Sequence, residues 1–199
     1  RRIIVIDCSR NFVKEDAWDL LNAGKFLLLS SISAIAYLKL DSIMIKNILG
    51  LTDVAYYNVG STLVQSAWFL AINYCVLYFP SIHRSENKEA LFKKHYLRLM
   101  YIGIGLTIVI IPTSDFFIIS FFGKDYQSSI FISQIYSLIL PIYFFRALLS
   151  KWIIISGNYK YSLISHLMGL LTNIVLNVIL IDKYGSLGAA ISTVLSFFA

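Results

Sequence analysis

Ser30, Ser33, Tyr37 and Asp41 recur every three or four residues within an otherwise apolar stretch, Lys25 to Gly50. On a helix advancing 100° per residue they fall within about 80° of one another, a polar seam along one side of a greasy rod. The run is long enough to cross a bilayer, and an ionisable group at that depth costs at least a few kcal/mol unless it meets water or a partner. Asp41 therefore has two readings. It is either satisfied structurally by a neighbouring helix, or it faces a water-filled cavity where it binds or relays a cation. Lys39 points about 200° away from Asp41. It either snorkels outward or meets a separate partner such as an anionic group of a substrate.

Other polar residues repeat the pattern. Asn58, Thr62, Gln65 and Asn73 recur at helical spacing, as helix–helix glue or as cavity lining. Asn173 and Asn177 lie four apart and share a face, with the same two readings. Arg146 either snorkels to the membrane interface or offers a planar fork to a phosphate or a sugar carboxylate. His166 reads as structural. No Ser/His/Asp or Cys/His set follows from spacing, and neither a zinc-protease helix nor a glycine-rich phosphate loop is present. The chain does not read as an enzyme, and neither a metal site nor an organic cofactor is indicated.

Positioning these groups falls to helices. Apolar residues make up 58% of the chain, charged residues 14%, and the mean hydropathy is +0.73. Soluble domains average about 45–50% and 25% respectively, so lipid is the solvent for much of this surface. The fold expected is an all-α, polytopic membrane bundle of five complete spans and a truncated sixth. The spans run over about 25–48, 52–80, 99–122 (bent by Pro112), 128–150 (kinked at Pro141) and 161–181, and the sixth begins at Leu187. Residues 1–24 form a polar lead-in with a short amphipathic helix lying flat on the membrane. The hydrophilic segments 81–98 and 151–160 read as loops. With no initiator Met and an end in mid-span at Ala199, the chain reads as a piece of a longer protein.

Charge gives the orientation. Arg1, Arg2, Arg10, Lys14 and Lys25 precede the first span. Arg84, Lys88, Lys93, Lys94 and Arg98 follow the second, and Arg146, Lys151 and Lys160 close the fourth. The other side holds Lys46, Lys124 and Lys183. The positive-inside rule puts the first three groups, and residues 1–24, in the cytoplasm. The net charge of +6 then reflects loops beside anionic headgroups, not nucleic acid. Cys8 and Cys75 have neither metal-ligand spacing nor an obvious disulfide partner.

Several stretches carry a resemblance. Leu40-Asp41-Ser42-Ile43-Met44-Ile45 and Asp53-Val54-Ala55-Tyr56-Tyr57-Asn58-Val59-Gly60 are similar to a signature of polysaccharide flippases, with Ala55 where Gly is common. Phe122-Gly123-Lys124-Asp125-Tyr126, Asn173-Ile174-Val175-Leu176-Asn177, Tyr184-Gly185 and Gly188-Ala189-Ala190-Ile191-Ser192-Thr193 follow in the same order. The chain resembles the C-terminal half of O-antigen, Wzx-type flippases of the multidrug/oligosaccharidyl-lipid/polysaccharide exporter (MOP) superfamily.

That resemblance implies two six-helix bundles about a central cavity, the first bundle being a missing N-terminal half. It implies a bacterial inner-membrane transporter of a polyprenyl-pyrophosphate-linked oligosaccharide, driven by H+ or Na+. A polysaccharide polymerase is an accompanying partner. Within that frame Asp41 and Tyr37 stand on the ion or substrate pathway. Lys39 and Arg146 are candidate partners for anionic groups, Asn173 and Asn177 donate to hydroxyls, and Asn58, Gln65 and Asn73 line the pathway. A multidrug or lipid II exporter is the alternative in the same superfamily. A non-transporting membrane subunit, its seams packed dry, is the alternative from another class.

Overall fold

A computed structural model describes residues 14–156 and 158–198 as a bundle of helices joined by short turns. The first helix, α1 (Lys14–Ile48), has 35 residues. At 1.5 Å per residue it is about 50 Å long, well beyond a hydrocarbon core of about 30 Å. It runs unbroken from residue 14 into the span, so the separate interfacial helix expected within 1–24 is not separate there. Nothing between Lys14 and Lys25 stops a helix except Gly24, and one glycine costs only about 1 kcal/mol. Residues 1–13 of that lead-in lie outside the described residues.

The second span is two helices, α2 (Leu51–Gln65) and α3 (Trp68–Arg84). They are offset by a tightened turn at Ser66–Ala67, where Ala67 N–H bonds Val64 O three residues back. α4 (Lys88–Phe122) continues through Pro112 as one helix. The segment read as a long loop after α3 is mostly helix. Only Ser85–Asn87 interrupts it, and Asn87 caps α4 by accepting from Ala90 N–H. The Lys, Glu, Ala and Leu residues that follow are polar enough for water but favour helix.

Gly123, at φ +91°, turns the chain into a 3-10 turn, Lys124–Tyr126, and then α5 (Ser128–Ser137). α6 (Leu140–Ile155) follows at 47° to α5. Pro141 falls in the first turn of α6, where its missing N–H is tolerated, and the kink expected there is present. The carbonyl of Ser137, four residues earlier, accepts instead from the Thr107 hydroxyl of α4 at 2.9 Å. α7 (Tyr159–Tyr184) and the short α8 (Ser186–Ser196) are joined at Gly185, whose φ of +61° suits glycine.

Among the described residues four helical stretches, α2 and α3 counted together, are long and apolar enough to cross a membrane, and the bent α5–α6 pair adds a fifth crossing when taken as one span. The chain is a multi-pass, all-α membrane protein. α1 packs along α7, α2 along α5 and α3 along α6, while α8 inserts among α7, α5 and α2. Side chains such as Ile35, Phe69, Leu77 and Ile108 point outward, as lipid solvent requires. Small residues allow the close contacts. A Cβ on Gly60 would fall 2.7 Å from Ser129 O of α5, and one on Gly188 would collide with the Leu180 carbonyl of α7.

Candidate functional site

The seam on α1 faces inward along its whole length, with Ser30, Ser33, Tyr37, Asp41 and then Ile45 all buried. Asp41 does not face a cavity. It is 1% exposed and enclosed by neutral donors from three other helices. Its Oδ1 accepts from Asn177 Nδ2 at 2.6 Å and Asn173 Nδ2 at 3.0 Å, both on α7. Its Oδ2 accepts from the Tyr57 hydroxyl of α2 and the Thr193 hydroxyl of α8, each at 2.6 Å. Helical periodicity fixed the inward side; it carried no information on whether water or protein waits there.

All four donors are neutral, so the carboxylate is solvated by dipoles but not neutralised by a cation. A buried negative charge in that state is costly, and a proton or small cation removes the cost. Two features of the cage accommodate such a change. Thr193 lies 2.9 Å from Ala189 O, so its single hydrogen can serve either that carbonyl or Asp41. The Oδ1 of Asn177, fully buried, has no hydrogen-bond partner among the described residues. Around the cage, Asn177 donates to Asn173 Oδ1 at 3.0 Å, and Gln65 donates to the Tyr136 hydroxyl at 3.1 Å.

Tyr37, one turn from Asp41, is the connection to open space. Its hydroxyl donates to Thr193 O at 3.2 Å and shares a 2.6 Å bond with the Ser196 hydroxyl. Its ring forms part of the wall of a cavity of about 400 Å3 between α1 and α3 on one side and α6 and α7 on the other. Arg146 is in the same wall. It does not snorkel to an interface. Its guanidinium donates to Phe197 O at 3.0 Å and to the Ser165 hydroxyl at 2.7 Å, and lies 5.7 Å from the Phe197 ring centre. His166 bonds both Ser30 and the Ser162 carbonyl through Nδ1, and it too lines the cavity.

The remaining residues singled out in the sequence separate. Lys39 is exposed and does not line the cavity. Asn58 is exposed and accepts from Ser42 at 2.9 Å, and Asn73 is exposed with its amide folded back on Phe69 O at 2.7 Å. Asn58, Thr62 and Asn73 are all exposed, and the buried positions Tyr57, Ser61, Val64, Trp68, Ala71 and Cys75 keep helical spacing through the turn at Ser66–Ala67. Asn173 and Asn177 are brought together with Asp41. Tyr57 and Thr193 were not read as site residues. They stand inside the stretches that carry the family resemblance, and that position was the only signal they gave. Among the described residues no group of three or more His, Cys, Asp or Glu could hold a metal ion.

With this geometry in place, the chain can be compared with known proteins. No protein-family model matches it. A protein of Shigella flexneri that carries the name "Putative O-antigen transporter" is 27% identical over 177 residues, covering 85% of this chain and 41% of the relative. Two solved structures share the fold, each with a TM-score of 0.70, 17% identity, and coverage of 90% of this chain and 42% of theirs. One is a MOP-superfamily transporter from Pyrococcus furiosus, described as having a binding pocket of reversed polarity. The other is an outward-facing multidrug-resistance transporter of the MATE family in the same superfamily. The chain thus has the fold of one bundle of a MOP transporter and spans about two-fifths of the length of the proteins it matches. These proteins are transporters, not enzymes.

Proposed function

We propose that this chain is one half of a bacterial inner-membrane flippase that moves a polyprenyl-pyrophosphate-linked oligosaccharide outward by alternating access. Asp41 is its coupling carboxylate, taking up H+ or Na+. The observation that carries the reading is the cage itself: a fully buried acid bonded by Tyr57, Asn173, Asn177 and Thr193, with no cationic partner among them. The place holds an ionised carboxylate by four hydrogen bonds yet leaves its charge without a counter-ion, which suits a group that alternates between charge states. The Shigella flexneri relative supports the substrate class.

On this reading the sugars cross in a hydrated interior while the lipid tail stays in the bilayer, avoiding the burial of polar groups in hydrocarbon. The missing half of the chain completes the central cavity. The basic ends of the helices, with residues 1–24, lie on the cytoplasmic side. Exposed Asn58 and Asn73 are then available to that shared space. A multidrug exporter is the second reading, favoured by the fold shared with the MATE transporter. Against it, a cationic drug would meet Arg146, Lys151 and His166 in the cavity wall and no carboxylate.

Cells lacking the full-length protein provide the test. Lipid-linked glycan accumulates on the inner leaflet if the reading is right. Normal surface glycan with raised drug sensitivity refutes it in favour of the exporter.

A further inference from the structure

α3 and α4 fold back on each other at the short break 85–87. Near that end His95 of α4 is 5% exposed, and its Nδ1 shares a 2.7 Å bond with the Tyr74 hydroxyl of α3. The Tyr78 ring closes over both, its centre 4.5 Å from that of Tyr74 and 5.0 Å from that of His95. Three rings wedged between two helices fix the Tyr74 hydroxyl in place. One turn along α4 the Arg98 guanidinium reaches that same hydroxyl. Lys94 lies four residues before Arg98, on the same exposed side of α4.

Depth gives this pair its chemistry. Arg98 is the last charged residue of α4 before 99–114, a run without Asp, Glu, Lys or Arg, and so it stands where water gives way to hydrocarbon. One turn deeper the groove between the helices becomes apolar. Leu70 stands one turn below Tyr74 on α3, and Tyr101 and Ile102 one turn below Arg98 on α4, all exposed. Among the described residues neither Lys94 nor Arg98 forms an ion pair. Glu86 and Glu89, the acids of this stretch, sit nearer the break than Lys94. Two cations therefore face the headgroup layer without a counter-charge, and a buried pair of side chains positions one of them. A guanidinium held in this way gives up little freedom when it binds a phosphate. An arginine that only snorkels needs no such support.

We infer that the groove between α3 and α4 binds an anionic phospholipid of the surrounding bilayer. Its phosphate meets Arg98 and Lys94, and an acyl chain follows Leu70, Tyr101 and Ile102. Basic pockets between spans at headgroup level hold such lipids. A free phosphate ion shares the headgroup chemistry but gains nothing from the apolar residues beneath, so the groove is assigned to a lipid. The polyprenyl carrier of the proposed substrate is an anionic lipid too, and the experiment separates it from phospholipid. The inference does not depend on what the bundle transports.

Native mass spectrometry of the full-length protein, released from detergent micelles, counts bound lipid for three probes: phosphatidylglycerol, phosphatidylcholine with the same acyl chains, and a polyprenyl phosphate. Phosphatidylglycerol is expected to bind about tenfold more tightly than phosphatidylcholine. Arg98→Gln, at an exposed position, brings phosphatidylglycerol down to the phosphatidylcholine level. Tyr74→Phe keeps the ring packing and loses only the hydroxyl. It weakens phosphatidylglycerol binding and leaves phosphatidylcholine binding unchanged, whereas a merely structural loss lowers both alike. Lys124→Gln, beyond the far end of α4, changes neither. Equal binding of the two phospholipids overturns the inference, and so does a preference that survives Arg98→Gln. Tighter binding of polyprenyl phosphate than of phosphatidylglycerol overturns it as well, assigning the groove to the carrier. Binding of none of the three does the same, another part of the longer protein then covering α3 and α4.

Discussion

Asp41→Asn in the full-length protein separates the stability of the cage from its use. An ionised Asp41 accepts at both oxygens, whereas an asparagine accepts at one and donates at the other. Its oxygen can keep the bonds from Asn173 and Asn177, now at 3.0 and 2.6 Å. Its amide then faces the hydroxyl oxygens of Tyr57 and Thr193. Thr193 can turn its hydrogen to Ala189 O, 2.9 Å away, and accept. Only the Tyr57 hydrogen loses its acceptor, a cost of about 1–3 kcal/mol for one buried hydroxyl. Removing a buried charge that has no cationic partner offsets part of that. The net change is therefore a destabilisation of no more than about 2 kcal/mol. Asp41→Ala strips the acceptor from all four donors and loses more.

Coupling behaves differently from stability. One proton per cycle moving down one pH unit supplies about 1.4 kcal/mol, enough for about tenfold accumulation of substrate. In proteoliposomes with an imposed H+ or Na+ gradient the wild-type protein accumulates substrate, and Asp41→Asn only equilibrates it. Unfolding in detergent micelles reads the stability side. Gradient-driven accumulation by Asp41→Asn at the wild-type level would show that this carboxylate is not the coupling group. An asparagine variant less stable than the alanine variant would refute the hydrogen-bond reasoning.

Gly188→Ala drives a methyl group into the Leu180 carbonyl, which is backbone and cannot rotate away. A loss of about 1–3 kcal/mol or more is expected in the unfolding midpoint, along with lost coupling as α8 withdraws Thr193 from Asp41. Thr107→Val removes the donor that serves Ser137 O and costs about 1–3 kcal/mol. Pro141→Ala offers its own N–H to the same carbonyl, so the double variant loses less than Thr107→Val alone in the same unfolding assay. Lys39→Ala, at an exposed position outside the cavity, changes the unfolding stability by no more than about 0.5 kcal/mol.

What could be read from the sequence divides along physical lines. Period fixed which side of α1 turns inward, because Ser30, Ser33, Tyr37 and Asp41 can share a face only if that face is not lipid. The same logic paired Asn173 with Asn177. Period could not say what lies opposite, since Tyr57 is 16 residues from Asp41 and Thr193 is 152 residues away. Asn58, Thr62 and Asn73 keep to one exposed side of α2 and α3, and period could not say what that side meets. The stretch around Lys88 to Arg98 was taken for a loop because it is hydrophilic. Hydrophilicity separates water from lipid but does not separate loop from helix.

The cage and the cavity are tied together by two helices, each with the same spacing. On α1, Asp41 in the cage and Tyr37 in the cavity wall are four residues apart. On α8 and its C-cap, Thr193 in the cage and Phe197 in the cavity wall are also four apart. Tyr37 reaches across to Thr193 O and Ser196, and Arg146 reaches from α6 to Phe197 O. On the proposed reading, uptake of a proton or cation by Asp41 leaves Thr193 as the donor whose hydrogen can be redirected, toward Ala189 on its own helix. The inter-helix restraint on α8 then weakens one turn from the residue that closes the cavity. A ligand held by Arg146 would pull on the same segment from the other end, through Phe197 O. On that reading ion and ligand would act on a single element, and any free energy with which one of them favoured a position of α8 would have to appear as a changed affinity for the other. An electrically silent α8, fixed in place whichever of the two is bound, would leave the buried carboxylate and the basic cavity as two unconnected features of one bundle.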